Sequence, residues 1–582
     1  MKAFRAERLL ARAFFGRFFE SDLMPPGLPQ VQLVIWSIAL LAAPGFMLSF
    51  QLEKKYARLW RTSRGALADS ILVDQLLFVT FGMTALGLVA LVIWEGVFPD
   101  RRDARVLGVL PLRTRTHVIG RLAALGAVAA LFAIGVNVLT AAAYGPILWS
   151  YDAAAGPVRA AMAHIIAAGL GGLFVFFTLI AAQGVLLNLF GRRVAQRLAL
   201  VLQMLFVILL VQALFFVPYL GVSVREAFHA GESRGGWLPP AWFLALYDVL
   251  AGSPREVPAT YAAAALLAAV GAAAIATALL AGSYRRLARM ALETLDGGHG
   301  LRARLGASAA AMLARVAARS PVQRAVASFT IHTLSRSRAH LMLLAMYVGV
   351  AAALVLAGLI PLLARRGPSW IDVPRVAVLS APLVLNFAAL CGMRVLFGIP
   401  TEIKANWAFR LHAPEDRLPG AIAGVRTALL AAVIPIAGAA GIVGTWLWGL
   451  RTGAIHALFT AAAGVLLADL LLVGLRKIPF SCTYYPGRSR ARTFWPLYGI
   501  AFGTYAYTLA EIELEVIHRP ILLGIFLAIV AAACVVLSEL RRRDLRPPPG
   551  LKYQEEDPDA IFEGFKLSEG LAAETPGMPF RH

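Results

Sequence analysis

The stretch LVDQLLFVTFGMTALGLVALVIWEGV, residues 72–97, decides the fold class of this chain. Its charged residues, Asp74 and Glu95, lie near its two ends, and the residues between them are almost all apolar. A helix needs about 20 predominantly apolar residues to cross the hydrocarbon core of a bilayer. The run is unbroken, whereas a barrel strand alternates apolar and polar residues. The stretch therefore predicts a membrane-spanning α-helix.

The rest of the chain repeats this pattern. Of its 582 residues, 59% are hydrophobic and 15% are charged, against about 45–50% and about 25% in soluble domains. We therefore expect an all-α polytopic membrane helix bundle, with about 12 transmembrane helices in two six-helix halves. The apolar runs lie near residues 31–50, 72–97, 118–145, 162–190, 198–220, 259–282, 340–363, 374–398, 427–449, 453–475, 493–510 and 518–538.

The predicted organisation has five segments. They are a cytosolic amphipathic lead-in (1–30), transmembrane half one (31–282), a cytosolic basic linker (283–339), transmembrane half two (340–538) and a cytosolic tail predicted to be disordered (539–582). In the lead-in, Leu10, Phe14 and Phe18 recur at helical spacing, which suits a helix in the membrane interface. An ordinary charged cap before the first span is the alternative. Half two begins with a similar basic stretch, VASFTIHTLSRSRAH, residues 326–340.

The charge pattern predicts the topology. A net charge of +22 in a soluble protein would suggest a nucleic-acid partner. Here the basic residues lie mostly in loops between apolar runs, and short basic loops stay in the cytosol. We expect no nucleic-acid partner, and a multi-pass protein of the plasma (inner) membrane with both termini cytosolic. Residues 51–71 disagree, because they carry five basic side chains and fall outside. Either the first run does not cross cleanly, or this loop tolerates its charge.

Motifs for chemistry are sparse in this sequence. It has no GxxxxGK[ST] phosphate-binding loop and no HExxH, and its three cysteines lie far apart. We expect no catalytic, cofactor-binding or metal-ligating residues, no cofactor, and no enzymatic activity in this chain. His164, in the fourth run, is interpreted as hydrogen-bonded packing rather than a proton relay. Glu511, Glu513 and Glu515 are placed between the last two spans, where they either attract a cationic solute or form a solvated loop.

A charged block follows the second span of each half. In half one it reads FPDRRDARVLGVLPLRTRT, residues 98–116, and in half two IPTEIKANWAFRLHAPEDR, residues 399–417. Both blocks open with a proline, Pro99 or Pro400, and both mix charge with an apolar stripe. Membrane transporters are often built from such repeats. Parallel halves, forming a pseudo-dimer within one chain, would put both blocks in the cytosol. A basic loop that only enforces topology is the simpler alternative.

The segment WEGVFPDRRDARVLGVLPLRTRTHVIGRL, residues 94–122, resembles the segment after the second span in permeases of the type-two ATP-binding-cassette (ABC) exporter family, in its large two-half form. Arg121 stands where lysine is commoner in that family. In half two, EIKANWAFRLHAPEDR resembles the corresponding segment. The resemblance marks these positions as partner-coupling residues: Phe98, Pro99, Asp100, Arg101, Arg102, Asp103, Arg105, Leu107, Leu110, Pro111, Arg113, Arg115, Asn406, Trp407, Phe409 and Arg410.

The resemblance implies a role for the first block. In that family it is a short coupling helix on the cytosolic face, packed against a separate ATPase subunit. The chain would then be the permease subunit of an exporter, moving an unknown substrate, of which a hydrophobic molecule is one option. A secondary transporter or lipid-handling membrane protein without an ATPase partner is the alternative. A membrane-embedded transferase is a third and weaker interpretation.

Overall fold

The computed structural model describes residues 2–19, 30–99, 103, 111–152, 156–230, 237–253, 259–293, 319–399, 401, 418–475, 477–481 and 501–544. These residues form an all-α multi-pass membrane bundle, without strands in the described part of the chain. In half one the helices are α1 (Lys2–Phe19), α2 (Gln30–Thr62), α3 (Arg64–Val92), α4 (Trp94–Val97), α5 (Thr114–Asp152), α6 (Pro157–Phe215), α7 (Val217–Ala230), α8 (Pro239–Ala251) and α9 (Ala259–Glu293). In half two they are α10 (Pro321–Arg336), α11 (Arg338–Arg366), α12 (Val376–Leu396), α13 (Leu418–Trp448), α14 (Leu450–Leu471), α15 (Leu509–His518) and α16 (Ile521–Asp544).

Eleven segments in the described part are long and apolar enough to cross a membrane. They coincide with eleven of the twelve predicted runs. The remaining run, near 493–510, begins among residues that the structure does not describe, and continues through the π-helical turn Thr504–Thr508 into α15. Large apolar side chains such as Leu40, Ile521 and Trp446 lie on the outer surface of the bundle, as they do when lipid is the solvent.

The helix α6 contains two spans that run in opposite directions. Its 59 residues would extend about 90 Å if straight, three times the hydrocarbon thickness. The side chain of Gln183 donates to the Trp94 carbonyl at 2.7 Å, and the ring of Phe206 lies 6.3 Å from that of Trp94. Thr84 then donates to the Leu210 carbonyl at 3.0 Å. Because α6 first reaches Trp94 and then returns along α3, the chain reverses between residues 183 and 206.

The contacts define two ends of the bundle. The proximal end contains α1, α4 and the start of α5, and the distal end contains the start of α3 and the end of α5.

The prediction of a loop at 51–71 is wrong, because α2 continues to Thr62 and α3 begins at Arg64. Both helices extend to the distal end, where Lys55 Nζ pairs with Asp74 at 2.8 Å. The intervening Ser63 caps α3 by accepting the Ala66 N–H.

The two halves repeat one packing arrangement at their lead-in helices. A Cβ on Gly120 of α5 would lie 2.8 Å from the Leu10 Cβ and 3.4 Å from the Glu7 carbonyl oxygen of α1. A Cβ on Gly424 of α13 would lie 2.8 Å from the Val326 Cβ and 2.6 Å from the carbonyl oxygen of residue 323 in α10. In each lead-in helix the two contacting residues are three positions apart, at residues 7 and 10 in α1 and at residues 323 and 326 in α10. Each lead-in helix therefore packs directly against a glycine of its half's third span.

A second correspondence lies in the fourth span of each half. The pattern Arg-x4-His-x7-Gly occurs as Arg159, His164 and Gly172 in α6, and as Arg451, His456 and Gly464 in α14. Gly172 packs against the second span of half one, through Leu86, and Gly464 packs against the second span of half two, through Asn386.

The halves also point the same way. Gly349 of α11 packs against Val207 of α6, and the side chain of Gln212 donates to the Ala353 carbonyl at 2.5 Å. Farther along, the Arg365 guanidinium lies 5.7 Å from the Tyr219 ring. The second span of α6 and α11 therefore run parallel, so both lead-in helices lie at the proximal end.

Replacing Gly424 by alanine is expected to destabilise the protein by about 1–3 kcal/mol, because the new methyl group meets backbone atoms of α10 and overpacks the contact. Gly438 lies on the same helix with nothing within 4 Å of its Cβ position, so its alanine variant is the matched control and should not lose stability. Thermal unfolding of the detergent-purified protein measures both. Equal midpoints for the two variants would contradict the close packing of α10 on α13.

Candidate functional site

The charged block of half one leaves the bundle from a buried position. Phe98 and Pro99, which were predicted to contact a partner, are buried. The Phe98 ring lies 3.1 Å from the Cβ position of Gly184 and belongs to a core with Ile180 and Leu280. These two residues therefore hold the start of the block in the bundle and offer no contact surface.

Asp103 is the centre of an ion-pair network at the proximal end. Its carboxylate is 3% exposed. One oxygen pairs with Arg17 of α1, and the other accepts from Arg121 Nη2 of α5 at 2.8 Å. A carboxylate removed from water needs such charged partners, because burying an isolated charge is very unfavourable. Asp103 therefore joins the block to both the lead-in helix and the third span.

Arg121 completes the network from the side of the bundle. It is 2% exposed, and its Nη2 also donates to the Gly96 carbonyl at 3.1 Å. Its guanidinium lies 4.6 Å from the centre of the Phe14 ring, a cation–π contact with α1. Because α1, α4, α5 and the block all meet at Arg121, displacement of the block would be transmitted to the start of the third span.

The other predicted coupling residues fall into two groups. Pro111, Arg113 and Arg115 are exposed at the start of α5, on the proximal end. The rest lie outside the described residues: Asp100, Arg101, Arg102, Arg105, Leu107, Leu110, Asn406, Trp407, Phe409 and Arg410. Among the described members, the structure thus brings together one buried acid, two buried apolar residues and an exposed basic edge.

Half two holds the start of its block differently. His340 of α11 contacts the Ile399 carbonyl through Nε2 at 3.1 Å and the Ser337 hydroxyl through Nδ1 at 2.6 Å. The ring of Phe480 lies 5.0 Å from the His340 ring. The Phe480 backbone N–H donates to the Phe397 carbonyl, and the Phe480 carbonyl accepts from the Thr401 N–H. A backbone φ of 63° at Phe480 is unusual for a bulky residue. When Leu10 is matched with Val326 and Gly120 with Gly424, the half-two counterparts of Arg17 and Arg121 are Thr333 and Val425. Neither counterpart carries a charge.

Sequence reasoning missed the role of Arg17. It lies seven residues after Leu10 and three after Phe14, so it shares the helix face of these two buried side chains. An arginine on the apolar face of an amphipathic helix is a signal for a buried acidic partner. That signal was available in the sequence, although the identity of the partner was not.

Two other predictions concern buried polar groups. His164 is fully buried by aromatic rings, and neither ring nitrogen has a hydrogen-bond partner among the described residues. His164 is therefore packed in the core as predicted, but the predicted hydrogen bonds are absent among the described residues. Glu511, Glu513 and Glu515 lie on α15 and not in a loop. Glu511 and Glu515 are exposed, whereas Glu513 is buried against His456.

Comparison with known proteins gives no family for this chain. No protein-family model, no curated protein and no solved structure matches it.

Proposed function

We propose that the chain is the permease subunit of an ABC-type exporter, driven by a separate ATPase subunit at the proximal end. The observation that carries the proposal is the network of Asp103 with Arg17 and Arg121. It ties the block that resembles a coupling helix to the third span through buried, charge-assisted contacts. A partner that pushes on the block would therefore move a membrane-spanning helix.

The chemistry of the partner surface follows from the exposed part of this end. Arg113 and Arg115 are exposed at the end of the block, and the block contains three more arginines in its sequence, at residues 101, 102 and 105. An acidic surface on the ATPase would complement this charge, which favours correct docking and fast association. Asp103 is occupied by its own arginines and does not neutralise this basic edge.

The proposed topology places the proximal end in the cytosol of the plasma (inner) membrane, with both termini on that side. The last turn of α16 carries Arg541, Arg542 and Arg543 at this end, in agreement with the inside-positive rule. The basic side chains at the distal end are partly compensated, since Lys55 pairs with Asp74 and the guanidinium of Arg64 lies 3.3 Å from the centre of the Trp60 ring. In this topology the two halves form a pseudo-dimer within one chain.

Charge reversal of the block tests the proposal. Replacing Arg101, Arg102 and Arg105 by glutamate is expected to weaken binding of the ATPase by several kcal/mol, since repulsion replaces attraction. Each 1.4 kcal/mol corresponds to a tenfold change in affinity. The measurement is co-purification of the ATPase subunit with wild-type and variant permease at equal membrane abundance.

The matched control is the corresponding change in half two, Lys404→Glu with Arg410→Glu, which should weaken assembly less because that block is less basic. Unchanged co-purification of the triple variant would reduce the block to a topology signal. If no ATPase accompanies the wild-type protein in mild detergent, the alternative of a secondary transporter or lipid-handling protein would gain support. ATP hydrolysis by the purified single chain would contradict the proposal.

A further inference from the structure

A buried acid–base pair lies near the distal end of half two, on the other side of the bundle from the Asp103 network. His456 Nδ1 of α14 lies 2.5 Å from Glu513 Oε1 of α15. Glu513 is 0% exposed, and the Trp448 ring lies 5.8 Å from the imidazole. The pair therefore joins the fourth span to the helix that precedes the last span, in a site that is closed to solvent.

Few other charges are available to this pair. On α15 itself, Glu511, Glu515 and His518 are exposed. Where the structure describes side chains, the other charged or titratable ones of the helices packed against α15 are Cys391 and Arg394 on α12, Arg451 and Asp469 on α14, Tyr505 and Tyr507 in the π-helical turn, and Cys534, Glu539, Arg541, Arg542 and Arg543 on α16. Asp469, Arg394 and Arg541 lie at the proximal end, where Asp469 pairs with Arg426 and Arg541. Arg451 is exposed more than one helical turn before His456.

The hydrogen bonding of Glu513 limits its charge state. An ionised carboxylate offers about four acceptor sites, but the second oxygen of Glu513 has no hydrogen-bond partner among the described residues. A bare anion in this position would be strongly unfavourable. With one proton shared between the imidazole and the carboxyl group, the pair is neutral overall, either as two neutral groups or as an ion pair. Removing that proton leaves one buried negative charge.

In the described part of half one, the histidine at the equivalent position is buried without a carboxyl group such as Glu513 beside it. His164 occupies the position of His456 in the Arg-x4-His-x7-Gly pattern. Its ring is surrounded by Phe78, Tyr144 and Tyr247, with centroids at 5.3, 6.2 and 5.8 Å. Aromatic rings therefore surround the imidazole in half one, whereas half two places a carboxyl group beside it.

We propose that His456 and Glu513 form a proton-binding site that fastens α15 to α14 at the distal end of half two. The bound proton keeps the pair neutral and the two helices together. Loss of the proton at alkaline pH leaves the charge of Glu513 uncompensated, and α15 separates from α14 so that water can reach it. This site is independent of the ATPase partner, since it lies in different helices at the opposite end of the bundle.

Hydrogen–deuterium exchange of the detergent-purified full chain over a range of pH tests the site. After correction for intrinsic exchange rates, protection of α15 amides in the wild type should fall by at least about tenfold as pH becomes alkaline. Glu513→Gln replaces the acid by an isosteric neutral amide, so protection of α15 should no longer depend on pH. His164→Gln, at the equivalent position of half one, is the matched control and should retain the wild-type profile.

Two results would overturn the proposal. One is constant protection of α15 in the wild type at all pH values, which can be read even if Glu513→Gln does not fold. The other is an unchanged pH dependence in a folded Glu513→Gln variant. Neither result depends on whether an ATPase binds the proximal end, so this proposal and the proposed function fail separately.

Discussion

Replacing Asp103 by alanine is expected to destabilise the protein by about 3–5 kcal/mol, the range for breaking a buried ion pair by removing one partner. The reason is the burial of Arg121, whose guanidinium would keep the Gly96 carbonyl and the Phe14 ring but lose its counter-charge. Arg17 is less affected, since its side chain is partly exposed and can turn to water. Thermal unfolding in detergent measures the loss, and protease sensitivity of α1 reports its release from α5.

Two controls separate burial from charge. Asp69→Ala removes an acid that pairs with Arg225, but both side chains are well exposed, so the expected loss is within about 1 kcal/mol. In the double variant Asp103→Leu with Arg121→Met, no buried charge is left unpaired, and most of the stability should return. If Asp103→Ala unfolds at the same temperature as Asp69→Ala, the network does not hold the proximal end together.

The double variant also addresses function under the proposed assignment. It should restore the fold but not the polar connection between the block and the third span. ATP hydrolysis by the assembled complex would then proceed with weaker coupling to transport. Co-purification of the ATPase should remain near wild type, because all the arginines of the block are unchanged. The stability of the proximal end and its coupling role are thereby measured apart.

The spans were predictable because lipid imposes a simple rule on sequence. Backbone groups must bond within the helix, so length and continuity of an apolar run identify a span. The same rule separated the two spans of α6, where Arg192 and Arg193 interrupt the apolar residues although helical structure continues. The rule did not predict where the helices end at residues 51–71. Charged residues mark where a span leaves the lipid, and a helix can continue beyond that point. There α2 continues to Thr62.

The candidate sites were predicted less completely, for a physical reason. A run such as Glu511, Glu513 and Glu515 contains three acids of equal character in sequence. Burial of the middle one is decided by His456, 57 residues earlier in the chain. Likewise Asp103 is turned inward by Arg17, 86 residues away. Local pattern located both regions, but which carboxylate is buried depends on packing between distant segments.

A second large effect is expected at Asp469, which fastens the last helix to half two. Asp469 is 1% exposed and lies on α14. Its oxygens accept from Arg426 Nε at 2.7 Å and Arg426 Nη2 at 3.1 Å, and Arg541 Nη1 of α16 reaches Oδ1 at 2.8 Å and the Asp469 carbonyl at 3.2 Å. Most side chains of α16 face outward, so this network is a principal polar attachment of its proximal end.

Asp469→Ala is expected to cost about 2–4 kcal/mol, slightly less than the full range for a buried pair, because Arg426 is 36% exposed and can reach water. Arg541, at 12% exposure, has less freedom. The end of α16 should detach, which faster hydrogen exchange of residues 535–544 would report beside a lower unfolding temperature. Glu539→Ala is the matched control on the same helix turn, since Glu539 forms an exposed pair with Arg543 at 3.5 Å, worth about 0.5 kcal/mol at most. If both variants leave exchange at the end of α16 unchanged, apolar packing alone holds this helix, and the buried aspartate has no part in attaching it.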